Sequence, residues 1–555
     1  MKKALIPILL FFALHLSAHQ PVHARHAMVA AQEPLATDVG VAVLRSGGNA
    51  VDAAVGIGFA LAVTHPFAGN LGGGGFMIIR MADGRTTFID FREKAPGKAS
   101  HNMYLDAAGK PTRDSLEGWR ASGVPGSVRG FDLAHSVYGR AKWADLLKPA
   151  IDLASKGFPV SYSLADSLEH SRNLSRFPES KRIFQRDGKY YQMDETFRQP
   201  ELAATLERIS RNGAKEFYEG ETARRLAAEM EKNGGLITLA DLKDYKAVER
   251  KPLTGSYRGY QLITSPPPSS GGIGILQMLG MLDGSGYEKT GFGSAASIHY
   301  VAEVMRRFYA DRSEYMGDPD FYKVPVVGLL DPSYIKKRRD SIDPDKATPS
   351  DKVNPGHPAG AESTETTHFS VVDSEGNAVG VTYTLNGGYG SGVAIPGLGF
   401  LMNNEMDDFA SKPGEPNMFG LVQGEANAIQ PGKRPLSSMV PTIVLKDGRF
   451  FAVLGAPGGS RIPTAVLQVF LNLTDFGMNA QDAVDAPRFH HQWKPDKLYL
   501  EKGFSPDTVA LLKERGYDVD YSAGVVVARV EAIVSRNGWI EGGSDGRAVG
   551  KAAGY

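Results

Sequence analysis

Hydrophobic and polar positions change their period three times along this chain. Residues 34 to 65 carry small and apolar side chains at helical spacing, most clearly in DAAVGIGFALAVTH, and predict helix. MIIRMADGRTTFIDFRE alternates on both sides of Ala82-Asp83-Gly84, which predicts a strand pair ending at Arg92. From about 115 to 345 the pattern is mostly helical. ETARRLAAEMEKNGG closes on Gly234 and Gly235, and Thr238 with Asp241 opens the next helix. SPPPSSGG at 265–272 reads as a rigid turn into an apolar helix. Residues 346–364, rich in Pro, Gly, Ser and charge, form the clearest linker. Beyond it strands return in HFSVVD, AVGVTYT and MVPTIVLKDGRFFAVLGAPGG, with helical turns at about 462–475 and 505–515. Strands flanked by helices predict a layered α/β architecture, and no internal repeat is visible.

Composition narrows this picture. The chain has 555 residues, 42% hydrophobic and 22% charged, which is globular, and its 62 basic residues equal its 62 acidic ones. No global field recruits nucleic acid or an anionic membrane. Cysteine is absent, which excludes a disulfide framework, a thiolate nucleophile and a Cys-based metal site. The N-terminus places Lys2 and Lys3 before an apolar run from Ala4 to about Ala18, too short to span a bilayer and flanked like a secretory signal. Residues 1–24 are therefore expected to be a signal peptide, cut after Ala24 or alternatively after Ala18, leaving an exported periplasmic or secreted protein.

The densest candidate chemistry lies in ESTETTHFSVVDSEGNAVGVTYTLN. A threonine hydroxyl needs a base beside it to act as a nucleophile, and a cut before Thr366 would free an α-amine of pKa about 7.7–8.0 on the same residue. Asp373-Ser374-Glu375-Gly376-Asn377 is the turn of a hairpin, so facing residues should have numbers summing to about 750. Thr384 then falls across from Thr366, within about 5 Å between Cβ atoms. The alternative reading of both threonines is that they are merely good strand formers. Gly72 to Gly75 suggest close backbone packing or approach to a ligand; no Lys-Ser/Thr follows, as a phosphate loop would require. EMDD alone reads as a solvated loop and PGG as a turn. His368, His490 and His491 lack metal-ligand spacing and are read as structural, so neither metal nor cofactor is expected.

TTHFSVVD, TYTLN, NNEMDDF, RPLSSMVPTIV and APGGSR, in this order, closely resemble the γ-glutamyltranspeptidases of the N-terminal nucleophile hydrolase superfamily. GNAVDAAV, GGGGFM, DFREKAPGKA, PPPSSGG, ADRSEYMGDPDF and PRFHHQW extend the resemblance over essentially the whole chain after the signal. It implies an αββα four-layer sandwich made from one precursor, cut between Glu365 and Thr366 into a large subunit (25–365) and a small catalytic subunit (366–555) that stay together as a heterodimer. Thr366 would then cleave the γ-glutamyl amide of glutathione and related compounds through an ester, passing the acyl group to water, an amino acid or a peptide.

By motif match the resemblance also assigns site residues. Arg92, Ser437 and Ser438 would bind the substrate's α-carboxylate. Glu405 and Asp408, assisted by Asn386, would bind its α-ammonium. Gly458 and Gly459 would form the oxyanion hole, and Thr384 would orient Thr366. Two positions depart from the family pattern: Phe419 replaces a lid tyrosine expected to reach the Asn386 region, which predicts a looser lid, and Glu365 replaces a glutamine, which would affect maturation. One rival is a cephalosporin or glutaryl acylase of the same superfamily, which has no need for paired carboxylates. The other is a secreted binding protein that has lost catalysis.

Overall fold

The structure is a computed structural model that describes residues 20–356 and 367–555. Period-two patterning builds two seven-stranded antiparallel sheets. One runs in the order Lys551–Gly554, Met28–Ala31, Thr367–Val372, Ala378–Thr384, Gly74–Arg80, Thr86–Phe91 and Val248–Arg250. The other runs Val22–Ala24, Trp539–Ser544, Glu531–Arg536, Arg449–Gly455, Thr442–Lys446, Tyr260–Thr264 and Leu253–Tyr257. Alternate side chains serve two different cores. Phe76, Ile78 and Phe88 point into the layer between the sheets with Ile443, Val453 and Ile533. Met77, Ile79 and Ile89 point the other way, onto the helices Pro34–Arg45, Ala50–Thr64 and Ser127–Tyr138. Gly271–Leu282, Ala295–Tyr315 and Ile462–Thr474 cover the second sheet's outer face. The result is the αββα sandwich expected.

The hairpin arithmetic holds where it can be read. Thr367 pairs with Tyr383 and His368 with Thr382, so facing numbers sum to 750. Glu365 and Thr366 themselves lie outside the described residues, as does most of the end of the linker. The four glycines serve close packing. A Cβ on Gly73 would stand 1.9 Å from the Thr384 carbonyl oxygen, and one on Gly72 2.1 Å from that of Leu401. Gly73→Ala should therefore push the end of the Ala378–Thr384 strand aside and cost about 3 kcal/mol of stability, read as a fall in denaturation midpoint together with lost activity.

Two expectations change. The helix predicted over 34–65 is two helices, because Gly47 takes φ +95° and Asn49 with Asp52 forms a capping box that starts the second. The mostly helical stretch also contains the hairpin Leu253–Tyr257 and Tyr260–Thr264, an edge of the second sheet whose exposed polar residues hide its alternation. At the opposite edge of that sheet, Val22–Ala24 pairs with Ile540–Gly542. A cut after Ala24 would remove this strand, whereas one after Ala18 would keep it. Among the described residues no helix is long and apolar enough to cross a membrane.

Candidate active site

Strand ends from both sheets converge at one end of the sandwich. Thr384 ends its strand opposite Gly74, and its Oγ1 accepts the Asn386 N–H at 2.7 Å, leaving the hydroxyl hydrogen to donate elsewhere. Asn386 then turns at φ +72°, a conformation costly for a non-glycine residue and held by its Nδ2 donating to the Asn404 carbonyl at 3.0 Å. Its Oδ1 is buried without a partner among the described residues. Asn403 and Asn404, which sequence reasoning did not single out, position the loop that follows. Asn403 Nδ2 donates to the Gly72 carbonyl at 2.7 Å, its Oδ1 accepts the Glu405 N–H at 3.0 Å, and Asn404 Oδ1 accepts the Gly387 N–H at 2.8 Å.

That loop delivers Glu405 and Asp408 to Arg92, the first residue beyond the Thr86–Phe91 strand. All three are fully buried. Arg92 Nη1 donates to Glu405 Oε1 at 2.5 Å, Nη2 to Asp408 Oδ2, and Nε to the Pro435 carbonyl at 3.1 Å. The arginine expected to bind a carboxylate and the acids expected to bind an ammonium lie together in one buried ion-pair cluster. They satisfy one another, because a buried charge without a partner is costly.

Glu93 is a further member of the cluster that the sequence did not flag; its only signal there is a second charge directly after Arg92. It lies 3.7 Å from Arg92 Nη1, and both its oxygens lack a hydrogen-bond partner among the described residues. Three carboxyls thus face one guanidinium. Burial, only partly offset by Arg92, pushes the Glu93 carboxyl up to about 7 and Glu405 well above the usual range. Glu405 Oε2, Asp408 Oδ1 and the Ser438 hydroxyl are likewise unpartnered and buried. Ser437 is placed beside them, but its Oγ accepts the Met439 N–H at 3.1 Å. Its backbone is braced by the PPPSSGG turn: Ser437 N–H donates to the Pro268 carbonyl and Ser270 N–H to that of Ser437, both at 2.8 Å.

Gly458 and Gly459 follow the Arg449–Gly455 strand at φ +137° and +70°, conformations that demand glycine, just ahead of the helix Ile462–Thr474. Gly455 packs on the His368 ring: a Cβ there would lie 2.4 Å from Nδ1. His368 bonds Thr382 and Ser370 at 2.8 Å, and burial lowers it to about 3. His490 bonds Thr464 and Gln492, and His491 bonds Asp496. These contacts fit structural roles, and no metal-holding group of His, Asp and Glu occurs among the described residues. In the lid, Phe419 packs against the core beneath the second sheet and its carbonyl accepts from Gln492 at 3.1 Å. Met418, in the segment expected to form the lid, reaches the Asn386 turn, with its methyl 3.5 Å from where a Gly387 Cβ would be. The backbone of Phe419 is tied to Asn417 and Gln492.

Comparison with known proteins agrees with this geometry. A family model described as gamma-glutamyltranspeptidase matches residues 36–555. The glutathione hydrolase proenzyme of Escherichia coli (strain K12) is 52% identical over 539 residues, 96% of this chain and 93% of its own. A cephalosporin acylase from Bacillus halodurans superposes with a TM-score of 0.86 at 27% identity over 99% of each chain. The γ-glutamyltranspeptidase of Helicobacter pylori is 47% identical with a TM-score of 0.57, over 58% of this chain and 93% of that one. The chain belongs to the γ-glutamyltranspeptidase family.

Proposed function

We propose that this chain is a glutathione hydrolase and γ-glutamyltransferase that matures by cutting itself before Thr366. The Thr366 hydroxyl attacks the Glu365 carbonyl, the tetrahedral adduct collapses with loss of the Thr366 nitrogen to give an ester and the free α-amine, and water hydrolyses that ester to the Glu365 carboxylate and the Thr366 hydroxyl. That amine then takes the proton as the hydroxyl attacks the γ-carbonyl of the substrate, and passes it to the departing amine. Water or an acceptor amine resolves the γ-glutamyl ester. Thr384 donates its free hydroxyl hydrogen toward Thr366, and the Gly458 and Gly459 N–H groups receive the developing oxyanion.

The observation that carries the γ-glutamyl reading is the buried quartet of Arg92, Glu93, Glu405 and Asp408 with its unpartnered acceptor atoms. A zwitterionic head can exchange for the internal ion pairs without loss of charge balance. Its carboxylate takes the Arg92 fork and the Ser438 hydroxyl, and its ammonium takes Glu405, Asp408 and Asn386. A glutaryl head would take the arginine and leave the acids uncompensated, which disfavours the acylase alternative. Sequencing the N-terminus of the smaller fragment and comparing a γ-glutamyl with a glutaryl anilide tests this reading. An uncut chain, or equal use of the two anilides, would refute it.

The quartet also sets a pH dependence. A protonated Glu93 cannot balance an incoming ammonium, so kcat/KM for a γ-glutamyl donor should fall as pH drops through about 7. The Thr366 amine protonates in the same range, so Glu93→Gln should reduce the limb from two ionisations to one, measured as its slope in a pH profile of initial rates.

The two parts of the precursor remain one particle in this reading, because strands from before and after residue 365 alternate in both sheets. Export follows from the N-terminal signal, and the edge strand at Val22–Ala24 favours removal after Ala18.

A further inference from the structure

Among the described residues, the buried Arg92, Arg306, Arg307, Arg434 and Arg488 and the half-buried Arg547 each have a carboxylate within 4 Å. Arg529, half-buried beside the site, differs from them. Its Nε donates to the Arg547 carbonyl at 3.2 Å, and no carboxylate among the described residues comes within ion-pair distance of its guanidinium. Burial lowers its pKa, with only Asp545 opposing.

Its position follows from the strand it precedes. Ile533 lies in the core between the sheets, and Glu531 and Arg529 share its face two and four residues earlier, toward the end where Gly455 pairs with Glu531. There the Arg529 N–H donates to the Pro457 carbonyl at 3.2 Å. Ala528, at φ +61°, places its Cα 2.6 Å from where a Gly458 Cβ would be. On its other side is His65, held down to about 4 by burial and then by the Arg529 charge. Two residues on, Phe67 stands edge-on to Tyr389, 5.5 Å between centroids, in the turn that Asn386 opens. Arg529 therefore lies between Gly458, reached through Ala528, and the His65–Phe67 segment packed on Tyr389, and it makes no hydrogen bond or ion pair with Arg92, Glu405 or Asp408.

A half-buried guanidinium with no carboxylate beside it suits a planar anion supplied by a ligand. We propose that Arg529 anchors a carboxylate on the far side of the scissile amide: that of the departing amino acid or peptide, and then that of the acceptor taking its place. Acceptor and leaving group must share this subsite, because the acceptor amine attacks the ester along the path by which the first amine left. The proposal rests on the γ-glutamyl reading above and adds a second charged anchor to it.

The test compares γ-glutamyl-4-nitroanilide with its 3-carboxy derivative in the wild type, Arg529→Gln and Arg529→Lys. The ratio of kcat/KM for the two donors is taken within each preparation, so incomplete maturation of a variant cancels. Arg529→Gln should lower the preference for the carboxylated donor about tenfold, mainly through KM, while Arg529→Lys keeps part of it. Transfer to glycylglycine over glycylglycinamide should lose preference in parallel. An unchanged ratio in Arg529→Gln, with both donors cleaved by the wild type, overturns the Arg529 assignment alone. A wild type that cleaves neither donor removes the γ-glutamyl reading and this proposal with it.

Discussion

Thr366→Ala should yield a chain that stays in one piece and has lost at least about 10⁴-fold of its activity toward any γ-glutamyl donor. Both effects come from one oxygen. In the proposed mechanism the hydroxyl that opens the Glu365–Thr366 bond is the one that later carries the acyl group, and the amine that serves as its base exists only after the cut. Electrophoresis and rates on γ-glutamyl-4-nitroanilide measure the two losses separately. Cutting that survives the alanine change would end the self-processing mechanism, and activity that survives it would end the threonine-ester mechanism. Thr366→Ser separates the roles further: it should be cut and keep measurable turnover, since the primary hydroxyl has the same chemistry with one methyl fewer.

Asp408→Asn should lower kcat/KM for a γ-glutamyl donor about 10²–10³-fold while raising the ratio of glutaryl to γ-glutamyl turnover. Removing one partner of a buried ion pair costs about 3–5 kcal/mol, and each 1.4 kcal/mol is tenfold. Asparagine keeps the shape and an oxygen for the Arg92 Nη2 that Asp408 now receives. What it loses is the negative charge that an ammonium needs. A glutaryl head has no ammonium, so it escapes that loss. Rates on the paired anilides give the ratio directly, and an equal fall for both would mean that Asp408 only holds Arg92 in place.

Local chemistry explains what could be read before the fold was seen. The turn at Asp373–Asn377 and the alternation around it determine a register without help from elsewhere, which is why Thr367 faces Tyr383 as the arithmetic requires. The head-group cluster is different. Its members come from residues 92–93, 405–408 and 438, and the family resemblance joined all of them but Glu93; no periodicity relates segments separated by hundreds of residues. The resemblance identified Arg92 but not its state, because whether a guanidinium faces a substrate or its own neighbours depends on burial and loop placement. Glu93 escaped for the same reason, and its position beside an arginine reads as an ordinary surface pair until both prove fully buried. The missed hairpin at 253–264 is an edge, where one half-solvated strand loses the alternation that a central strand keeps.

The shared sheets give the mature enzyme an asymmetric history. Met28–Ala31 lies between Thr367–Val372 and Lys551–Gly554, so each part of the chain completes a ladder begun by the other. While the chain is continuous, those pairings close as loops within one molecule. If the bond before Thr366 is cut as proposed, regaining them from the unfolded state becomes an encounter between two molecules, with a concentration dependence the precursor never faced. The cut that creates the catalyst therefore also removes its route back: heat inactivation should be governed by an unfolding rate, with dilution deepening the loss on cooling.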